Sequence, residues 1–116
     1  MPKSDKLDTI NLAYNNLREY NYFENSPNLT VLILSNNKIV KISKDILKLQ
    51  KLKTFDLENN DLSELPYELG FINSLVRLQV EGNPLKTIRQ NIRNGGTNIL
   101  KKYLKDRMPP EEQSQL

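Results

Sequence analysis

Four segments of the chain superimpose without a gap: LDTINLAYNNL from Leu7, LTVLILSNNKI from Leu29, LKTFDLENNDL from Leu52 and LVRLQVEGNPL from Leu75. Each fits L-x-x-L-x-L-x-x-N-x-L, with Ile10, Ile39, Phe55 and Val80 taking leucine positions. The starts lie 22, 23 and 23 residues apart. A period of this length marks a stack of small units, none of which can bury its apolar face alone. The chain must therefore fold as a short solenoid.

The L-x-L core of each unit predicts a short strand whose alternate side chains point inward. Successive strands then pair in parallel. The ninth positions hold Asn15, Asn37, Asn60 and Asn83. The chain turns sharply there and leaves backbone groups inside. A buried amide both donates and accepts, so a structural asparagine ladder is expected. The return legs carry apolar residues at matching offsets: Ile42, Ile46 and Leu49 in one, Leu65, Leu69 and Ile72 in the next. Short helical turns are expected near 44–49 and 67–72. The first return is one residue shorter and supplies Tyr20 and Phe23.

After Leu85 the strand pattern stops. Ile88 and Ile92 predict a short helix, ended by Asn94-Gly95-Gly96. Thr97 is the expected N-cap of a second helix. Ile99, Leu100, Tyr103 and Leu104 then share one face, with Lys101, Lys102, Lys105 and Arg107 facing out and Pro109-Pro110 as the stop. This segment reads as a cap on the last unit.

These features resemble the leucine-rich-repeat family, of the short intracellular 23-residue kind. LKTFDLENNDLSELPYELGFINS resembles the family repeat most fully, whereas Ser43 and Asn21 stand where that repeat has Pro66. The C-terminal segment is similar to the end of leucine-rich-repeat-containing protein 40 and its relatives, through Gly82, Asn83, Pro84, Gly96, Thr97, Tyr103, Leu104, Arg107 and Pro109. The resemblance implies an α/β fold: a leucine-rich-repeat solenoid of four repeats, with short parallel strands, an irregular or short-helical convex side and a C-terminal helical cap. It implies no catalytic residue. The expected organisation is an N-terminal extension (1–6), repeats at 7–28, 29–51, 52–74 and 75–85 onward, a cap over 86–108 and a polar tail over 109–116.

Composition removes several function classes. There is no Cys and no His, so disulfides, thiol nucleophiles, Ser-His-Asp constellations and most zinc sites are excluded. No phosphate loop or calcium loop occurs. No cofactor and no metal site is expected, and the chain is read as not an enzyme. The start lacks a signal-peptide pattern and no stretch approaches the roughly 20 apolar residues of a membrane span, so an intracellular, cytoplasmic protein is expected. Asn28-Leu29-Thr30 is then a chance glycosylation triplet. Residues 86–116 carry seven cations against three anions, leaving the rest at −1 of the net +3. Lys outnumbers Arg by 12 to 5 and no aromatic interleaving is present, so nucleic-acid contact is expected only within a large complex.

Solenoids dock partners on the curved strand face. The candidate partner-binding residues there are Tyr14, Val31, Ile33, Asp56, Glu58, Arg77, Gln79 and Glu81. They describe a small apolar spot with an acidic rim, suited to a basic or mixed protein partner. The expected function is a protein-binding module or adaptor. The alternative is a structural subunit of a large intracellular assembly, cytoskeletal, ciliary or ribonucleoprotein. It would be held by the basic convex face, where Lys41, Lys44, Lys48, Lys51 and Lys53 cluster, and by the first repeat. Leu7, Ile10, Leu12, Leu17, Tyr20 and Phe23 are the candidate end contact. No cover for that repeat is evident, so a cut array, a partner, or residues 1–6 folding over the edge must account for it.

Overall fold

The computed structural model describes residues 6–114 and 116. Residues 1–5 of the expected N-terminal extension lie outside the described residues. Four strands, β1 (Thr9–Asn11), β2 (Val31–Ile33), β3 (Thr54–Asp56) and β4 (Arg77–Gln79), form one sheet in chain order. All neighbours are parallel, and the register places Ile10, Leu32, Phe55 and Leu78 side by side. Each of these central residues is buried while its strand neighbours face out. The repeat's fourth position thus becomes one continuous inward row. The fold is the α/β leucine-rich-repeat solenoid.

Return legs carry 3-10 turns at Phe23–Asn25, Lys44–Lys48 and Tyr67–Phe71. Ser43 starts the second by accepting the Asp45 N–H at 3.1 Å, and Pro66 starts the third. The shorter first leg fills its share of the core with rings. Tyr20 packs edge-on against Phe23 with centroids 5.8 Å apart, and both are buried.

Three helices follow the repeats: α1 (Gln90–Arg93), α2 (Thr97–Arg107) and α3 (Pro110–Gln113). Leu100 and Leu104 of α2 seal the last slice, joined by buried Ile88 and Met108. The cap differs from the sequence expectation in four places. Ile88 precedes α1 instead of lying within it. Ile99 is exposed. Thr97 is the first residue of α2 and its hydroxyl accepts the Leu78 N–H of β4 at 2.9 Å, so it serves the sheet edge and not the helix start. Lys101 turns inward: its Nζ donates to Ile72 O and Leu75 O, both at 2.8 Å. Burial first, and then the Lys105 charge, lower its pKa. In the segment expected to be a polar tail, Pro110 opens a further helical turn, as proline at a first helical position favours.

Gly70 explains how closely α2 approaches the third return leg. A Cβ there would lie 2.6 Å from Lys101 O and 2.8 Å from Lys105 N. Only glycine lets the two backbones meet.

Candidate functional site

The asparagine positions tie each slice to the one before it. Asn60 Nδ2 donates to Leu57 O of its own slice and to Leu34 O of the preceding one, both at 3.0 Å. Its Oδ1 accepts the Ile39 N–H at 3.1 Å. Asn37 and Asn83 repeat this pattern, and all three are buried. The Asn15 side chain is exposed and bonds only to Leu12 O and Ala13 O of its own slice, while its backbone N–H donates to Asn37 Oδ1 of the next slice at 3.1 Å. Among the described residues nothing donates to the Asn15 Oδ1. These amides set the sheet's curvature and spacing, which in turn place the outward side chains.

Those side chains form columns. Val31 stands beside Thr54, and Thr54 beside Arg77; Ile33 stands beside Asp56, and Asp56 beside Gln79. Neighbouring strands are about 4.8 Å apart. Val31 and Ile33 lie two residues apart on the same face of β2 and are half-buried, so each keeps part of its apolar area open. Asp56 Oδ1 accepts the Glu58 N–H at 3.0 Å, which holds the two carboxylates on one turn. Partial burial first, then the Asp56 and Glu81 carboxylates, push the Glu58 carboxyl above its ordinary value. The side-by-side acids therefore form one negative field next to the apolar pair. Arg77 and Glu81 are exposed, and Gln79 is half-buried.

Tyr14 is 81% exposed at the far corner of this face. It occupies the left-handed region at φ 59°, where the equivalent Asn36, Asn59 and Gly82 also sit. Gly82 is required twice over, since a Cβ there would also collide with the Asn59 side chain.

The end-contact residues separate into two groups. Ile10, Tyr20 and Phe23 are buried in the core. Leu7, Leu12 and Leu17 are half-buried and, with the exposed rings of Tyr14 and Tyr22, give the first slice an apolar outer surface. On the convex side, Lys41, Lys44, Lys48, Lys51 and Lys53 are all exposed. Lys51 donates to Asn28 Oδ1 at 2.9 Å, and Lys48 lies 4.0 Å from Asp45. Such surface pairs contribute little.

An open groove of about 860 Å³ runs along the return legs, lined among others by Val40, Lys44, Leu65, Tyr67, Tyr103 and Arg107. The Arg107 guanidinium stacks 4.0 Å from the Tyr103 ring centre. Its walls come from matching offsets of the three legs, such as Asn21, Ser43 and Pro66, and from the cap, and the residues at those offsets differ from leg to leg. Among the described residues, no cluster of acids could hold a metal ion, and no helix is long and apolar enough to cross a membrane.

Repeat period, parallel sheet and asparagine bonds together define a protein class. Residues 27–85 match the leucine rich repeat family, and the chain belongs to it. It is 37% identical over 92 residues to the "Probable U2 small nuclear ribonucleoprotein A'" of Caenorhabditis elegans, covering 77% of this chain and 36% of that protein. It is 33% identical over 88 residues to "Leucine-rich repeats and immunoglobulin-like domains protein 2" of Mus musculus, covering 74% of this chain and 8% of that one. A solved leucine-rich-repeat protein of Leptospira interrogans superimposes with a TM-score of 0.65 at 35% identity, over 67% of this chain and 20% of that chain. The chain thus spans about a third or less of these relatives.

Proposed function

We propose that the chain is a non-catalytic docking module whose concave face binds a basic or mixed-polarity protein segment inside the cell. The observation that carries this reading is the lateral pairing of Ile33 with Asp56, which joins the apolar pair to the carboxylates of Asp56, Glu58 and Glu81. A partner side chain with an aliphatic stem and a cationic head matches both parts at once. Desolvated at the centre and charged at the rim, such a contact gives affinity through the first and orientation through the second.

The test is affinity capture with mass spectrometry, comparing the native chain with Ile33→Asp and with the double variant Lys44→Glu/Lys48→Glu. Circular dichroism confirms that each variant is folded. Partners lost with Ile33→Asp and kept with the convex-face variant support the module. Full retention with Ile33→Asp overturns it.

The likeness to a small nuclear ribonucleoprotein of Caenorhabditis elegans favours a second reading, a structural subunit of a ribonucleoprotein assembly. In that case the convex lysines carry the contact, and the double charge reversal releases the protein. The cap sequence from Gly82 to Pro109 also supports placing the chain among the relatives of leucine-rich-repeat-containing protein 40.

A further inference from the structure

The turn after β4 and the short helix α1 line a pocket of about 140 Å³, with Glu81 and Gly82 on one side and Gln90, Arg93 and Asn94 on the other. A water takes about 30 Å³, so there is room for a small polar group and little more. Glu81 also belongs to the acids of the concave face, so the pocket adjoins that face at its cap end.

Arg93 is the cation of this pocket, and its guanidinium is only partly used. The residue is half-buried. Its Nη1 reaches Pro84 O at 3.3 Å and Asn83 O at 3.5 Å, both long for a charged donor. The Nε–H is shielded from solvent and meets no acceptor. Among the described residues no carboxylate pairs with Arg93. Glu81 lines the pocket, but its carboxyl contacts that of Glu58 and is drawn to the concave face. A guanidinium has five N–H donors and no acceptor, and a desolvated N–H left unpaired is costly. An orphan of this kind calls for a water or an ion. The Gln90 and Asn94 side-chain amides line the same pocket and are exposed, with no hydrogen bond among the described residues. The Asn83 amide beside them is spent on the asparagine ladder. The pocket thus gathers free donors around one unanswered positive charge.

We propose that this pocket takes a carboxylate of the segment docked on the concave face, with Arg93 as its counter-ion and Gln90 and Asn94 as flanking donors. The inference rests on the docking reading above and sharpens it. The partner segment is then of mixed charge, with a cation for Asp56, Glu58 and Glu81 and an acid close by for Arg93. Charge decides the ligand class. One guanidinium balances one carboxylate, whereas a phosphate dianion sets a second negative charge beside Glu81. The planar carboxylate also matches the guanidinium fork.

Nuclear magnetic resonance of the nitrogen-labelled chain tests the pocket directly, because the Arg93 Nε–H and the Gln90 and Asn94 amides each give a signal. Sodium acetate, added at constant ionic strength, is expected to shift these signals saturably and to leave the Arg107 Nε–H in place. Inorganic phosphate is expected to shift them less. A second arm compares the peptides acetyl-Arg-Gly-Glu-amide and acetyl-Arg-Gly-Gln-amide, which share the cation and differ by the carboxylate. The first is expected to bind at least about fivefold more tightly, and Arg93→Gln to abolish the difference. Gln90→Leu, at an exposed position, is expected to weaken acetate binding about threefold and keeps the test decisive if Arg93→Gln does not fold. No acetate response, a larger response to phosphate, or equal binding of the two peptides overturns the proposal. Failure of the docking reading has its own signature: Asp56→Asn/Glu58→Gln then weakens neither peptide, while acetate still reports the pocket at Arg93.

Discussion

The Thr97 hydroxyl accepts the Leu78 N–H at 2.9 Å and so closes the last strand with a side chain from the cap. That N–H is where a further strand would bond. Thr97→Val keeps the shape and removes the acceptor, leaving a half-buried donor unpaired. A loss of about 1–2 kcal/mol is expected in urea denaturation, with Thr97→Ser close to the native value.

The asparagine bonds predict a gradient along the stack. Asn60→Ala leaves the Ile39 N–H unpaired in the interior, while Leu34 O and Leu57 O lose one of two donors and keep those from Asn37 and Asn83. The unpaired donor costs about 1–3 kcal/mol and each of the two other lost bonds about 1 kcal/mol, so a loss of about 3–5 kcal/mol is expected. The Asn15 side chain is exposed and bonds only within its own slice, and Asn15→Ala is expected to cost under about 1 kcal/mol. Matched denaturation curves check the difference.

The repeats were legible because their physics is local and periodic. Every row from Leu7 to Leu85 has the same neighbours one period away, so one good alignment settles strand, face and register. The cap has no period, and its key contacts join distant residues. Lys101 reads as one more surface lysine of a basic helix until the helix is laid on Ile72 O and Leu75 O. Thr97 reads as a helix cap until β4 is placed beside it. Of the candidate end contacts, spacing cannot separate Tyr20 and Phe23, which the short first leg folds into the core, from Leu7 and Leu17, which stay at the surface.

Gly70 decides whether the cap can dock. A Cβ added there meets backbone atoms of α2, which cannot swing aside as a side chain can. Gly70→Ala is expected to cost about 1–3 kcal/mol and to loosen α2 before the sheet. Hydrogen exchange should show lost protection across Leu100–Leu104 while β2 and β3 remain protected.

Glu58 gives the concave face a pH signature. Its carboxyl is raised in the folded chain by partial burial and by the Asp56 and Glu81 charges, so the folded state holds this proton more tightly than the unfolded one. The stabilisation is therefore full below the ordinary value of 4.5 and is lost as pH rises through the higher folded value. Glu58→Gln removes this dependence and is expected to be the more stable protein at neutral pH. Its stability profile should be flatter above the ordinary carboxylate range, which denaturation at stepped pH measures.

Tyr14 should respond in the opposite sense to an ordinary aromatic substitution. Removing a packed ring destabilises, but this ring is 81% exposed and its backbone sits at φ 59°. Asparagine tolerates that conformation because its short polar side chain can bond locally, as Asn36 and Asn59 illustrate at equivalent positions. Tyr14→Asn is therefore expected to raise the unfolding free energy of the isolated chain by about 1 kcal/mol. Matched urea denaturation of the two proteins measures the difference, and a loss of stability would mean that the ring packs against its own slice.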